Sequence, residues 1–206
     1  MVLPEEALPG RDQPVLAMPF EHLVFGEPLD REFPGAEVAY FAMGCFWGAE
    51  RIYWQLDGVR MTAAGYTGGF THHPTYDEVC TARTGHAEAV RVVFDPQVVG
   101  YGELVRVFFE NHDPTQGMRQ GNDIGTQYRS AIWTTNAEQT QVAGAAIAQL
   151  QPRFAEKGFG EMTTEVGTAG EWYYAEAMHQ QYLHRFPGGY CNHGPNGVSC
   201  QIGVLD

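Results

Sequence analysis

The stretch Val38-Ala39-Tyr40-Phe41-Ala42-Met43-Gly44-Cys45-Phe46-Trp47-Gly48 decides how this chain is read. An unbroken apolar run fits a buried strand, a glycine supplies the turn, and the residues after it open a helix. Ala49, Ile52, Tyr53 and Leu56 continue on one helical face, so a helix over 46–56 is expected. A cysteine at the start of that helix faces backbone N–H groups without partners, which favour its thiolate. Phe46 and Trp47 can wall an apolar slot beside the sulfur. The competing reading of Cys45 is a free cysteine that serves as a small buried hydrophobe.

Working outward, residues 59–66 return as a strand, and a short helical piece follows near Tyr76–Cys80. Ala87, Ala89, Val92, Val93 and Phe94 mark another strand, closed by Asp95-Pro96. Tyr101, Leu104, Val105 and Phe108 share one face of a helix that stops before Asp113-Pro114. Residues 114–127 form a polar, glycine-bearing loop of a length that often carries function. Tyr128 to Thr135 reads as a strand. Asn136 then caps a helix, with Gln139 as its capping-box partner, Ala143, Ile147 and Leu150 inward, and Pro152 kinking or ending it. An edge strand over 162–166 and a last helix over 174–186, with Ala175, Met178, Tyr182 and Phe186 on one face, complete the expectation. The order β-α-β-β-α-β predicts an α+β fold, a two-layer α/β sandwich with a ferredoxin-like core. Pro4, Pro9, Pro14, Pro19, Pro28 and Pro34 make residues 1–35 an extended arm. Residues 36–206 are expected to form one catalytic domain, whose Gly/Pro/Asn-rich end, 187–206, is a flexible tail.

A chain of 206 residues with 44% hydrophobic content can bury a full core without staples. Net charge is −13, from 12 basic against 25 acidic residues, and no Lys/Arg cluster offers a surface for phosphates. No apolar run is long enough to span a membrane, and no signal-like segment opens the chain, so a cytoplasmic protein is expected; nothing suggests an extended self-complementary surface, so a monomer is expected.

Cysteines occur at 45, 80, 191 and 200 without a C-x-x-C pair. Cys80 reads as a passive buried thiol. Cys191 and Cys200 lie in the deformable coil from Gly188 to Cys200 and fit a disulfide-exchange relay with Cys45. A structural disulfide, or a zinc site built on Cys191, His193 and Cys200, is the alternative, although the spacing lacks two close ligand pairs. Glu88 heads an apolar strand, where a carboxylate seldom lies without a task or partner. In an aromatic pocket its pKa would rise and make it a proton donor near neutrality. Its bland alternative is an ion pair with Arg83 or Arg91. His86 is an equal acid/base candidate that could equally be a hydrogen-bonded structural histidine. Asp123 and Tyr128 in the long loop, and Tyr76, could offer polar groups to the same pocket, or be ordinary turn and packing residues.

Together these segments closely resemble the peptide methionine sulfoxide reductase family, type A. The resemblance is carried by Gly44-Cys45-Phe46-Trp47-Gly48, Ala64-Gly65-Tyr66-Thr67-Gly68-Gly69, Pro74-Thr75-Tyr76 and Gly85-His86-Ala87-Glu88-Ala89-Val90. It continues in Asn111-His112-Asp113-Pro114-Thr115, Gln120-Gly121-Asn122-Asp123, Gly125-Thr126-Gln127-Tyr128-Arg129-Ser130, Gln180-Gln181-Tyr182-Leu183 and Gly189-Tyr190-Cys191. The resemblance implies reduction of the S epimer of methionine sulfoxide, in proteins and as the free residue, with thioredoxin as reductant and no cofactor or metal. Carried over by motif, Cys45 is the nucleophile and Glu88 the acid that protonates the sulfoxide oxygen. Tyr76 and Tyr128 hydrogen-bond there, Asp123 shapes the polar wall, and Phe46 and Trp47 hold the substrate methyl. Cys191 matches the resolving cysteine and Cys200 a second recycling cysteine. Three rivals remain at this stage: an acyl transferase or hydrolase using Cys45 with His86 as base, a zinc-binding interaction module, and a non-catalytic binder of oxidised methionine.

Overall fold

In the computed structural model, which describes residues 1–199, the apolar run becomes β1 (Glu37–Met43). It feeds α1 (Phe46–Trp54), β2 (Val59–Thr67), α2 (Tyr76–Cys80) and β3 (Ala87–Phe94). Then come α3 (Tyr101–Glu110), a small hairpin of β4 (Arg119–Gln120) and β5 (Asp123–Ile124), and β6 (Ser130–Thr134). The chain continues through α4 (Ala137–Glu156), β7 (Glu165–Thr168), β8 (Tyr173–Tyr174) and α5 (Tyr182–Arg185).

The main sheet runs β7-β6-β1-β3-β2-β8. Its four central strands pair antiparallel, and β3 separates β1 from β2. That arrangement is the split β-α-β pattern expected from the element order. Side-chain alternation assigns the two faces. Val90, Val92 and Phe94 of β3 join Ala39, Phe41 and Met43 of β1 in the core shared with α1, α3 and α4. Phe41 stacks on Tyr53 of α1 at 4.8 Å and meets Phe108 of α3 at 5.8 Å. Each such ring, fully buried, contributes about 1.5–3 kcal/mol. Glu88 is in phase with Val90 and therefore faces the helices. Arg91 is out of phase and faces the other side, so it forms no ion pair with Glu88.

The opposite face is not left to solvent. Leu16 and Leu29 of the N-terminal segment pack there against Met61, Ala63 and Val93. Arg11 clamps Glu78 with two bonds of 2.9 Å. His22 reaches the interior, where its Nε2 lies 2.9 Å from Thr62 Oγ1. Coverage on both faces explains why β2 and β3 read as continuous apolar runs rather than alternating ones.

The structure departs from expectation in several places. The helix over 174–186 does not form. Tyr173 and Tyr174 pair with Tyr66 and Gly65 instead. The Gln180 side chain then bonds both Ala64 N (3.0 Å) and Ala64 O (2.8 Å), extending that edge as a strand would. Gln181 adopts a left-handed conformation (φ 47°), and only then does α5 begin. Met178 and Phe186, placed inward by the helical reading, are 64% and 54% exposed. Tyr128 lies in a 3-10 turn (Thr126–Tyr128) ahead of β6. Arg129 holds that turn by donating to the carbonyls of Thr126 and Gly85. Asn136 caps α4 by accepting from Gln139 N, but the Gln139 amide oxygen turns to Thr135 N, so the reciprocal half of the capping box is absent. The helix runs four residues past Pro152. The edge strand falls at Glu165–Thr168 and pairs parallel with β6. Cys80 ends α2 exposed rather than buried, because Val79 takes the inward position.

Candidate active site

Cys45 is the N-cap residue of α1, at the end of the turn that leaves β1. Gly44 makes that turn possible. Its φ is +95°, and a Cβ there would lie 2.6 Å from Gln120 Cγ. The cysteine is a free thiol and only 6% exposed.

Glu88 enters from β3 beneath the same helix start. It is buried, and its Oε2 accepts the N–H of Phe46 at 3.0 Å, the first residue of α1. Burial pushes its carboxyl up to about 8; the Phe46 N–H opposes this and nearby Asp123 adds to it. The group is therefore a carboxylic acid, and a proton donor, at neutral pH. The same forces act on Cys45. Burial raises its pKa first, and the Glu88 and Asp123 carboxylates add to that. The N–H groups of Trp47 and Gly48 pull the other way, as a helix start should, but they do not prevail. The thiolate expected from position alone is thus overruled by burial in the free protein.

Tyr76 at the start of α2 and Tyr128 in the 3-10 turn lie close enough for their phenols to interact electrostatically. Burial, then the Glu88 charge, raises both phenols, so they stay protonated and available as donors. Asp123 on the β4–β5 hairpin lies near Cys45 and Glu88 and accepts from Tyr190 Oη (3.0 Å) and Asn192 Nδ2 (2.9 Å). The apolar wall is Phe46 and Trp47. The Trp47 indole stacks on Tyr182 at 3.9 Å and donates to His179 Nδ1 at 3.2 Å. His179 also lies against Phe46 and Tyr76.

Cys191 reaches the first turn of α1 from the other end of the chain. Its free Sγ accepts from Arg51 Nη2 at 3.2 Å. Gly48 leaves room for it, since a Cβ at that position would come within 2.8 Å of the sulfur. Tail residues up to Ser199 are tied down as well: Asn196 donates to the carbonyls of Phe109 and His112. Cys200 lies outside the described residues.

The structure thus gathers Cys45, Phe46, Trp47, Tyr76, Glu88, Asp123, Tyr128 and Cys191 about one helix start. It does not bring His86 there. Both ring nitrogens of His86 are committed, Nε2 to Thr71 O and Nδ1 to Gly69 N, so the acyl-transfer reading lacks its base. His179, Tyr182, Tyr190 and Asn192 belong to the site but had no assigned role in the sequence reading. His179 was hidden inside the expected helix; a histidine three residues after Glu176 and bracketed by aromatics was the available signal.

The chain is similar to known proteins over most of its length. The peptide methionine sulfoxide reductase family matches residues 37–201. A peptide methionine sulfoxide reductase MsrA of Salinispora arenicola is 57% identical over 209 residues, covering 99% of this chain and 94% of the relative. One from Rhodospirillum centenum is 58% identical over 198 residues, covering 96% and 90%. Methionine sulfoxide reductase A of Corynebacterium diphtheriae has a similar structure, with a TM-score of 0.87, 48% identity and 97% coverage of each chain. Reduced Mxr1 of Saccharomyces cerevisiae gives a TM-score of 0.72 at 30% identity, covering 78% of this chain and 92% of that one, and Mxr1 has also been solved in complex with Trx2. A cysteine at a helix start, a buried acid beneath it and these relatives lead to one conclusion: the chain belongs to the peptide methionine sulfoxide reductase family.

Proposed function

We propose that the methionine sulfoxide reductase activity of this chain runs through Cys45 and Glu88 and acts on the S epimer, free or within proteins. A sulfoxide has an electron-poor sulfur and a basic oxygen, so attack on sulfur is slow until the oxygen is protonated. Phe46 and Trp47 hold the substrate methyl. Tyr76 and Tyr128 donate to the oxygen, with Asp123 in the same polar wall. Glu88 passes its proton to that oxygen as Cys45 attacks the sulfur. The proton leaving the thiol returns to Glu88, methionine departs, and Cys45 is left as a sulfenic acid. Cys191 then condenses with it, forming a disulfide and water. Cys200 attacks Cys191 in turn, and the resulting disulfide is reduced by a thioredoxin, as the Mxr1–Trx2 complex suggests for that relative.

The observation that carries this reading is the shared helix start: the acid bonds the first N–H of the helix whose N-cap position is the cysteine. We further propose that residues 1–35 act as a supporting arm to a catalytic domain over 36–206, and that the enzyme works as a cytoplasmic monomer. Among the described residues no helix is long and apolar enough to cross a membrane. Cys45→Ser in single turnover with each sulfoxide epimer tests the scheme. The variant should form no methionine, whereas the parent forms one equivalent from the S epimer alone. Parental yield from the serine variant would end the proposal.

A further inference from the structure

His193 sits two residues beyond Cys191, and the roles given above leave it without a task. Its Nε2 lies 2.6 Å from the carbonyl oxygen of Met43. A carbonyl can only accept, so Nε2 carries the hydrogen and Nδ1 is the bare, lone-pair nitrogen. That Nδ1 is fully buried and has no hydrogen-bond partner among the described residues. An orphaned buried acceptor is destabilising, so its retention needs a reason. The reason lies across Gly48. A Cβ at that glycine would meet His193 Nδ1 at 2.3 Å and Cys191 Sγ at 2.8 Å, so both atoms crowd one point on the first turn of α1. Arg51 donates to the same sulfur at 3.2 Å.

We propose that His193 is the proton acceptor for Cys191 when that sulfur closes on oxidised Cys45, with Arg51 placed to stabilise the charge that develops on it. This rests on the reading of Cys191 as the resolving thiol. The Cys191 S–H bond breaks and its proton moves to Nδ1. The Cys191 sulfur pair forms the S–S bond to Cys45, and the Cys45 S–O bond breaks with its electrons on oxygen. The departing hydroxide takes the proton back from Nδ1 and leaves as water. Cys191 is oxidised, the sulfenic sulfur is reduced, and no outside reagent is needed. Burial lowers the imidazole pKa to about 4, so the ring is neutral and its Nδ1 lone pair is open before the step.

The test uses full-length protein, one equivalent of methionine S-sulfoxide and no reductant. Methionine, dimedone-trapped sulfenic acid at Cys45 and disulfides that include Cys191 are followed by quench and mass spectrometry. His193→Gln can keep a donor for Met43 O and an acceptor toward Cys191, but it cannot take up a proton. It should release methionine in the first turnover, then form disulfide about 100-fold more slowly, with sulfenic acid accumulating. A parental rate of disulfide formation would overturn the proposal, since a purely structural role is satisfied by glutamine. Cys191→Ser separates the two ideas. Persistent sulfenic acid in that variant upholds Cys191 as resolving thiol, whereas its loss to another disulfide at the parental rate removes Cys191 itself. Imidazole 15N spectra of the unaltered protein give a variant-free check: the Nε2–H tautomer at His193 is required, and the Nδ1–H tautomer refutes the proposal.

Discussion

Among the described residues two glutamates are fully buried, Glu50 within α1 and Glu88 on β3 beneath its start, and their surroundings differ. Glu50 accepts from Gln181 N (2.8 Å), Gln181 Nε2 (2.7 Å) and Thr62 Oγ1 (3.2 Å). His22 of the N-terminal segment lies on the same hydroxyl, and Leu23 N donates to Gln181. Glu88 has the N–H of Phe46 alone among the described residues. Burial raises both, Glu50 to about 7 and Glu88 to about 8. Three donors and the Arg185 charge oppose the shift at Glu50, whereas at Glu88 the Phe46 N–H alone opposes it and Asp123 adds to it. A well-supplied carboxylate holds pieces of chain together; an under-supplied one keeps a proton to give away.

The largest effect expected from this contrast is on rate. Glu88→Gln keeps the size of the side chain and the bond from Phe46 N–H but removes the transferable proton. Its single-turnover rate of sulfenic acid formation should fall by about 10²–10⁴-fold. Less than a tenfold loss would remove Glu88 from its role as acid.

Stability should separate the pair next. Glu50→Leu leaves three donors buried and unpaired, at a cost on the order of 2–4 kcal/mol in urea unfolding. Glu88→Leu strands one N–H and should cost far less. Equal losses would show that donor count is not what distinguishes the two sites.

The smallest effect is a pH dependence. The folded-state pKa of Glu88 lies above its unfolded value, so its favourable contribution is complete at pH 4 and is lost as pH rises through about 8. Glu88→Gln should therefore gain stability relative to the parent from pH 6 to pH 8, by about 2 kcal/mol. Glu50 titrates alike in both proteins and drops out of the difference. A gap that stays constant with pH would mean that Glu88 is already ionised.

Much of this was readable from residue order. The apolar run before Gly44, and the phase of Glu88 with Val90 and Val92, are local patterns, and they located both the thiol and the acid. What escaped reading was long-range and polar. The Gln180 amide takes over backbone pairing at Ala64, 116 residues away in sequence, and that substitution defeated the helical spacing of Ala175, Met178 and Tyr182. Arg51 meets Cys191 across 140 residues, which no periodicity reports. The balance on the Cys45 thiol was also hidden, because the helix start is written in the sequence while the depth of burial is a property of the whole fold.

Asp123 carries one further consequence. Its two side-chain partners, Tyr190 and Asn192, are the immediate neighbours of Cys191 on either side. Any shift of Cys191 toward Cys45 pulls on both of those bonds at once. In the proposed mechanism, closing of Cys191 on Cys45 therefore draws on the polar wall itself, and pocket shape and disulfide closure are coupled through Asp123.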